Sequence, residues 1–241
     1  MLIFIQEHWL ANFEAEVKLS TNFPQYNFSI TSSDIFTPAE DKMLESGPTW
    51  HGAAVGWDQN VEKHITRIPI ISERFSGINY TDGQTNIIAY SAYLPTSGQD
   101  DEYLEVLSLL SYDIRNNRTG NSGILIGLDT NQSEKSSRRR IEAMKQFCEQ
   151  FCLKGVLTNS DPTFHHNNQT SSSQIDNILA YFPKQSPLKI SLFKHLCKLD
   201  YSANLSSHDV LIAKLVTPAA EKKIIETDYS HTYEPFIVQV G

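Results

Sequence analysis

Several polar side chains fall where apolar runs stop, the position from which a side chain reaches a rim instead of a core. Glu7 follows 2-LIFI-5, Tyr93 stands near the end of 86-NIIAYSAYL-94, and Asp129 and Asn131 follow 124-ILIGL-128. Asp176 opens much of the run 174-QIDNILAYF-182, and His208 stands just before 209-DVLIAKLV-216. Carboxylates bind hard cations through oxygen, and carboxylates and imidazoles are the usual movers of protons. Taken singly, each residue also fits an ordinary role. Glu7 fits a surface carboxylate, Asp129 and Asn131 fit an Asx-turn after a strand, Tyr93 fits a strand aromatic, and Asp176 and His208 fit structural hydrogen bonders. Cys148 and Cys152 stand four apart in a helical pattern with Cys197 distant; three cysteines make no disulfide framework, and buried or inert thiols explain them better than zinc even with His165 and His166 counted.

The elements that must hold these residues are strands interleaved with helices. The runs 2-LIFI-5, 52-GAAVGW-57, 68-IPII-71 and 86-NIIAYSAYL-94 read as strands, separated by Asn, Asp, Gly and Ser. In 101–116, Leu104, Leu107, Leu110 and Ile114 recur at helical spacing behind acidic residues suited to a helix start. The run 124-ILIGL-128 predicts a strand buried on both faces. A second helix is predicted over 136–153, with Ile141, Met144, Phe147 and Phe151 as its core stripe. Beyond it, 155-GVLTN-159 and 174–182 read as strands, 165–173 as a polar loop, 183–206 as irregular, 209–216 as the last strand and 217–241 as a tail. Two clear helices among many strands favour a mixed α/β sandwich.

The chain has 241 residues, which suits one domain, and 40% hydrophobic with 20% charged residues is ordinary globular usage that argues against disorder. No apolar run approaches the ~18 residues of a membrane span, and the start lacks the basic opening and long apolar stretch of a secretory signal. The chain is therefore read as intracellular and not secreted, with no membrane partner. With 20 basic against 28 acidic residues the net charge is −8, which opposes non-specific nucleic-acid binding through lysine and arginine. If a phosphate is the substrate, a bound divalent cation must supply much of the positive potential.

Five segments in order, 5-IQEHWL-10, 90-YSAYLP-95, 124-ILIGLDTN-131, 162-PTF-164 with 172-SSQIDNILAY-181, and 205-LSSHD-209, resemble the endonuclease/exonuclease/phosphatase superfamily. The similarity is closest to the apurinic-type endonuclease domain of non-LTR (LINE-type) retrotransposons, and it spans roughly residues 2 to 216. The resemblance implies an α/β fold, a four-layered sandwich of two facing mixed sheets flanked by helices, with the active site at one rim. It implies a metal-dependent hydrolase that nicks DNA, with Mg²⁺ (or Mn²⁺) on Glu7. Asp129 would orient and deprotonate the attacking water, Asn131 would hold water or phosphate, and Tyr93 would offer its hydroxyl to the phosphate. His208 would donate to the phosphoryl oxygen, Asp176 would fix its tautomer, and Ser173, Thr163 and Ser207 would support the phosphate. A monomer is expected, nuclear if DNA is its substrate, and once fused to a reverse transcriptase.

Two departures from the family pattern bear on activity. Ser207 stands where the family places an aspartate before its closing histidine, which removes a charge near the metal. The chain also opens at Met1 on the family's second strand, so the first strand, with its asparagine, and the first helix are expected to be missing. The expected division is a truncated domain at 1–216 and a tail at 217–241. The alternatives are an inactive relic of such a domain, or a phosphatase of the same fold acting on another phosphoester.

Overall fold

Alternation along the strands decides what each face touches. In β1 (Leu2–Gln6), Leu2 and Phe4 join one apolar cluster while Ile3 and Ile5 join another, as a strand covered on both faces requires. The computed structural model describes residues 2–36, 51–132, 136–156, 162–165, 172–184, 186, 189–196, 210–216 and 236–240. After β1 come α1 (Asn12–Asn22), β2 (Tyr26–Thr31), β3 (Ala53–Asp58), β4 (Ile65–Arg67), β5 (Phe75–Thr81) and β6 (Asn86–Tyr93). Then follow α2 (Asp100–Asn117), β7 (Gly123–Asp129), α3 (Arg138–Phe151), β8 (Lys154–Gly155), β9 (Phe164–His165), β10 (Ser172–Ser173) and β11 (Asp176–Tyr181). The last are β12 (Lys189–Leu196), β13 (Val210–Val216) and β14 (Phe236–Val240).

These strands make two six-stranded sheets, in the orders β12-β13-β14-β1-β3-β2 and β4-β5-β6-β7-β11-β8. Between the sheets lie Leu2, Phe4, Val55, Trp57, Ile78, Ala89, Leu125 and Ile178. The outer face of the first sheet packs Ile3, Ile5, Phe28 and Ile30 against Ala15 and Leu19 of α1. The outer face of the second packs Ile88, Tyr90, Ile124 and Ile126 against Leu107 and Leu110 of α2 and Met144 and Phe147 of α3. The four-layered sandwich implied by the resemblance is the architecture observed.

The sheets approach closely at Gly127, where an added Cβ would stand 2.5 Å from Cβ of Phe4. Because that neighbour is fixed to its backbone, Gly127→Ala must push the sheets apart. It should cost roughly 1–3 kcal/mol, measurable as a lowered denaturation midpoint with an unchanged m-value.

Several expectations change. The segment 217–241 is not wholly a tail: β14 lies within the first sheet, parallel to β1 and antiparallel to β13. β1 is thus paired on both sides, by β3 and β14, and β13 is not the last strand. Within 183–206, read as irregular, β12 pairs with β13. The strand expected at 68–71 is instead β4 at 65–67; Ile68 still donates its backbone N–H to the Gly77 carbonyl in the same register, and Pro69, which has no N–H, cannot carry the ladder on. Of 155–159 only Gly155 belongs to a described strand, and 157–159 lie outside the described residues. The polar loop at 165–173 is flanked by a two-rung ladder of β9 with β10, and 166–171 lie outside the described residues.

A third helix, α1, was not foreseen, because it buries only Ala15 and Leu19 and leaves Phe13 75% exposed. On α3 the expected core stripe holds at Met144, Phe147 and Phe151 but not at Ile141, which is 48% exposed while Arg140 is buried in its place. Cys152 stands past the end of α3, exposed and in a left-handed conformation, so it does not share a helix face with Cys148. Among the described residues, no helix is long and apolar enough to cross a membrane.

Candidate active site

Strand register places three of the candidate side chains in a row. Tyr93 of β6 is the parallel partner of Asp129 in β7, and Asp129 is the antiparallel partner of Asp176 in β11. On these strands Ile87 and Ala89, Leu125, and Ile178 and Ala180 face the other sheet. The two-residue period of a strand carries Tyr93, Asp129 and Asp176 onto that same inward face, at the end where β6 and β7 stop.

The opposite sheet supplies the fourth member. Gln6, last residue of β1, is fully buried between the sheets, where its Nε2 donates to Ser91 Oγ (2.8 Å) and to the Gly127 carbonyl (3.0 Å). Ser91 in turn donates to the Ile5 carbonyl at 2.7 Å. This inter-sheet bracket fixes the end of β1. The chain leaves it through Glu7 in a left-handed conformation (φ 51°), which is uncommon for a residue with a Cβ. Glu7 accepts a hydrogen bond from the Tyr93 hydroxyl. Strained backbone recurs at Trp9, His51 and Asn131, a clustering typical of functional rims.

Asp129 is fully buried. Burial pushes its carboxyl well above the usual carboxylate range, and the Asp176 charge and then Glu7 push the same way, while the Asn131 backbone N–H, donating at 2.8 Å, opposes them. That N–H makes the Asx-turn expected of an ordinary strand end, so the turn and the cluster are one arrangement. The Asn131 amide is committed to the Leu94 carbonyl (2.8 Å) and Asp129 Oδ2 (3.3 Å). It thus holds the carboxylate in place, where an amide offered to water or phosphate was expected. Tyr93 likewise spends its hydroxyl on Glu7 here, and burial, followed by the Glu7 charge, raises its pKa.

The buried Thr163 hydroxyl accepts from the backbone N–H groups of Ile175 (3.1 Å) and Asp176 (3.0 Å), and its own N–H donates to the Ser173 carbonyl (3.0 Å). Thr163 therefore sets the start of β11, and Ser173 takes part through its backbone. Ser207 and His208 lie outside the described residues, so the tautomer-fixing role of Asp176 is not placed.

Two contributors were missed in the sequence. His51 stacks on Tyr93 with ring centroids 5.7 Å apart; burial, then the Arg74 charge, hold its pKa down at about 4, so it is neutral at pH 7. Arg74 places its guanidinium carbon 5.0 Å from the Tyr93 ring centroid. Neither follows an apolar run, so no strand-end signal marks them. A cleft of about 630 Å³ lies beyond Pro95, between the starts of α2 and α3, lined by Ser97, Gln99, Asp100, Glu102, Ser137 and Arg140 among others. Glu7, Asp129 and Asp176 do not line it.

The donor set fits a hard divalent cation. Asp129 feels the charges of Asp176 and Glu7 and carries a raised pKa that a cation would relieve, and the buried Gln6 Oε1 has no hydrogen-bond partner. Among the described residues no group of three or more His, Cys, Asp and Glu side chains is placed to hold a metal ion.

No family model matches the chain, nor does any curated protein. Solved structures do. An endonuclease/exonuclease/phosphatase from Bacteroides vulgatus superposes with a TM-score of 0.63 at 14% identity, over 90% of this chain and 84% of that one. The endonuclease domain of TRAS1, a telomere-specific non-LTR retrotransposon, matches with a TM-score of 0.55 at 14% identity, over 86% of this chain and 94% of that one. A 3′ phosphatase from Neisseria, bound to a product DNA hairpin, matches with a TM-score of 0.53 at 16% identity, over 90% and 99%.

Proposed function

Because this chain has the endonuclease/exonuclease/phosphatase fold, we propose that it hydrolyses phosphodiesters with a divalent cation, and that it is a DNA-nicking endonuclease of retrotransposon origin. The observation that carries this reading is the row Tyr93-Asp129-Asp176, joined across the sheets to Glu7. Like charges on directly opposed strand positions are destabilising, and burying them costs more. A fold retains such a row where it serves a ligand of opposite sign.

Glu7 would hold the cation, with Asp129 beside it. When bound, the ion neutralises charge on the phosphate and on the leaving oxygen, which a negatively charged diester requires. The chain's own side chains account for the remainder. Asp129, with a raised pKa and locked by Asn131, orients a water and takes its proton, the task for which a carboxylate basicity closer to neutrality is suited. Tyr93 turns its hydroxyl from Glu7 to a phosphate oxygen. Thr163 keeps Asp176 opposite Asp129.

The DNA assignment draws on the 94% coverage of the TRAS1 endonuclease domain and on the motif order in the sequence. A phosphatase reading is favoured by the match to a 3′ phosphatase over 99% of its length. One assay separates them. Supercoiled plasmid with Mg²⁺ or Mn²⁺ should convert to the nicked form, whereas release of phosphate from a 3′-phosphorylated oligonucleotide without plasmid nicking would favour the phosphatase. Neither product at high protein concentration would set aside phosphoester hydrolysis altogether.

A further inference from the structure

Arg74 is only 3% exposed, yet its Nε and Nη1 have no hydrogen-bond partner, and only Nη2 is committed, to Glu102 in the first turn of α2. Unsatisfied buried donors carry a desolvation penalty, so a residue kept in this state is held for something other than its hydrogen bonds. Its main chain is as tightly bound as its side chain is poorly satisfied. The Arg74 carbonyl accepts from the Tyr93 N–H at 2.9 Å, and the Arg74 N–H donates to Ser72 Oγ at 3.1 Å.

We propose that Arg74 is a positioning residue for Tyr93: anchored by Glu102, its guanidinium braces the ring while Glu7 fixes the hydroxyl, so the phenol is aimed before any phosphate arrives. The charge order Glu102, Arg74, Tyr93, Glu7 runs from α2 across the second sheet to the end of β1. A cation over an aromatic ring gains most where water is excluded, which is the condition here. A guanidinium is also planar and stacks, so a lysine at the same place keeps the charge and loses the brace. Arg140 offers a comparison. It is also buried, lies over the Tyr103 ring at 4.1 Å and likewise leaves Nε and Nη1 without a hydrogen-bond partner, but its Nη2 donates to the Pro95 carbonyl, so it braces the loop after β6 and not the row itself.

The kinetic part of this inference rests on the hydrolase reading; the structural part does not, and the test separates them. Protein labelled with 3-fluorotyrosine is compared as wild type, Arg74→Met, Arg74→Lys and Glu102→Gln, with the Tyr93 ¹⁹F resonance assigned from Tyr93→Phe. Glu102 is partly exposed, so Glu102→Gln should fold even where Arg74→Met does not. The Tyr93 resonance should shift and broaden in Arg74→Met and Glu102→Gln, and Arg74→Lys should not restore it. A Tyr93 resonance that stays unmoved in the folded variants overturns the proposal, whatever the activity. If the wild type hydrolyses phosphodiesters, kcat should fall about 10²-fold, the usual consequence of a misplaced group, with KM little changed. The same substitutions in a Tyr93→Phe background should then cost nothing further. Full additivity of the two changes would show that Arg74 does not act through the Tyr93 hydroxyl, and would likewise overturn it.

Discussion

Asp129→Asn should lower phosphodiester turnover by about 10²–10⁴-fold, the range for losing a general acid or base, while making the cation-free protein more stable at neutral pH. The two effects have one cause. Asp129 is buried against Asp176 and near Glu7, and its folded-state pKa is raised. A carboxyl with a raised folded pKa binds its proton more tightly in the native state than in the unfolded chain. Between the two pKa values the native protein therefore holds more protons, and stability falls as pH rises through that window. An asparagine has no such titration. It keeps the shape and can still accept from the Asn131 N–H, so the variant should lose this pH slope and gain in midpoint above the window. A divalent cation should stabilise the wild type, by about 2.7 kcal/mol at one hundred times its Kd, and the variant less. Thermal denaturation at acid and neutral pH, with and without Mg²⁺, measures all of this. A variant that nicks plasmid like the wild type would remove Asp129 from the chemistry, and a variant destabilised at neutral pH would show that the carboxylate cluster is not the source of stored unfavourable charge.

What the sequence disclosed follows from how local each signal is. β6, β7 and β11 were legible because a doubly covered strand is a near-continuous apolar run; β6 and β7 end on Tyr93 and Asp129, and β11 begins on Asp176. Tyr93, Asp129 and Asp176 could be found as the residues at which those runs meet the rim. α1 escaped because it covers its sheet with only two buried side chains and leaves Phe13 and Val17 outward, so its stripe is too narrow to read. Arg140 is one of three consecutive arginines, 138–140, at the start of α3, and only the packing of the fold shows that it is the buried one. Arg74 and His51 gain their meaning from juxtaposition with Tyr93, a contact between segments that no local period encodes. The same holds for β14. Its five residues 236-FIVQV-240 have strand character, but nothing nearby in the sequence indicates that its partner is β1.

That partnership makes a strong claim about the end of the sequence. A chain stopped at residue 216 should lose its cooperative unfolding transition or associate with itself, and should have no hydrolytic activity. Deletion of an ordinary tail changes stability by little, within about ±0.5 kcal/mol for surface changes away from structure. β14 is different because it is interior. It pairs with β1 at Ile3↔Ile237 through Gln6↔Val240 and with β13 at Val210↔Gln239 through Ala213↔Phe236. Removing it splits the first sheet and bares the backbone of β1 and β13 together. At roughly 0.5–1.5 kcal/mol net for each backbone hydrogen bond, ladders on two sides amount to several kcal/mol, a large part of the 5–15 kcal/mol that holds a typical domain together. The bared strands are also templates for pairing between copies, so size-exclusion chromatography should show larger species than the full chain gives. The site suffers directly, because β1 is the strand that ends in Gln6 and delivers Glu7 to Tyr93. A synthetic peptide spanning 232–241, added in trans, should restore the elution volume of the full chain and whatever phosphoester hydrolysis the full chain shows. A 1–216 chain that melts with the full-length midpoint would mean that β14 covers the sheet without helping to hold it, and that Glu7 is set by the bracket of Gln6, Ser91 and Gly127 alone.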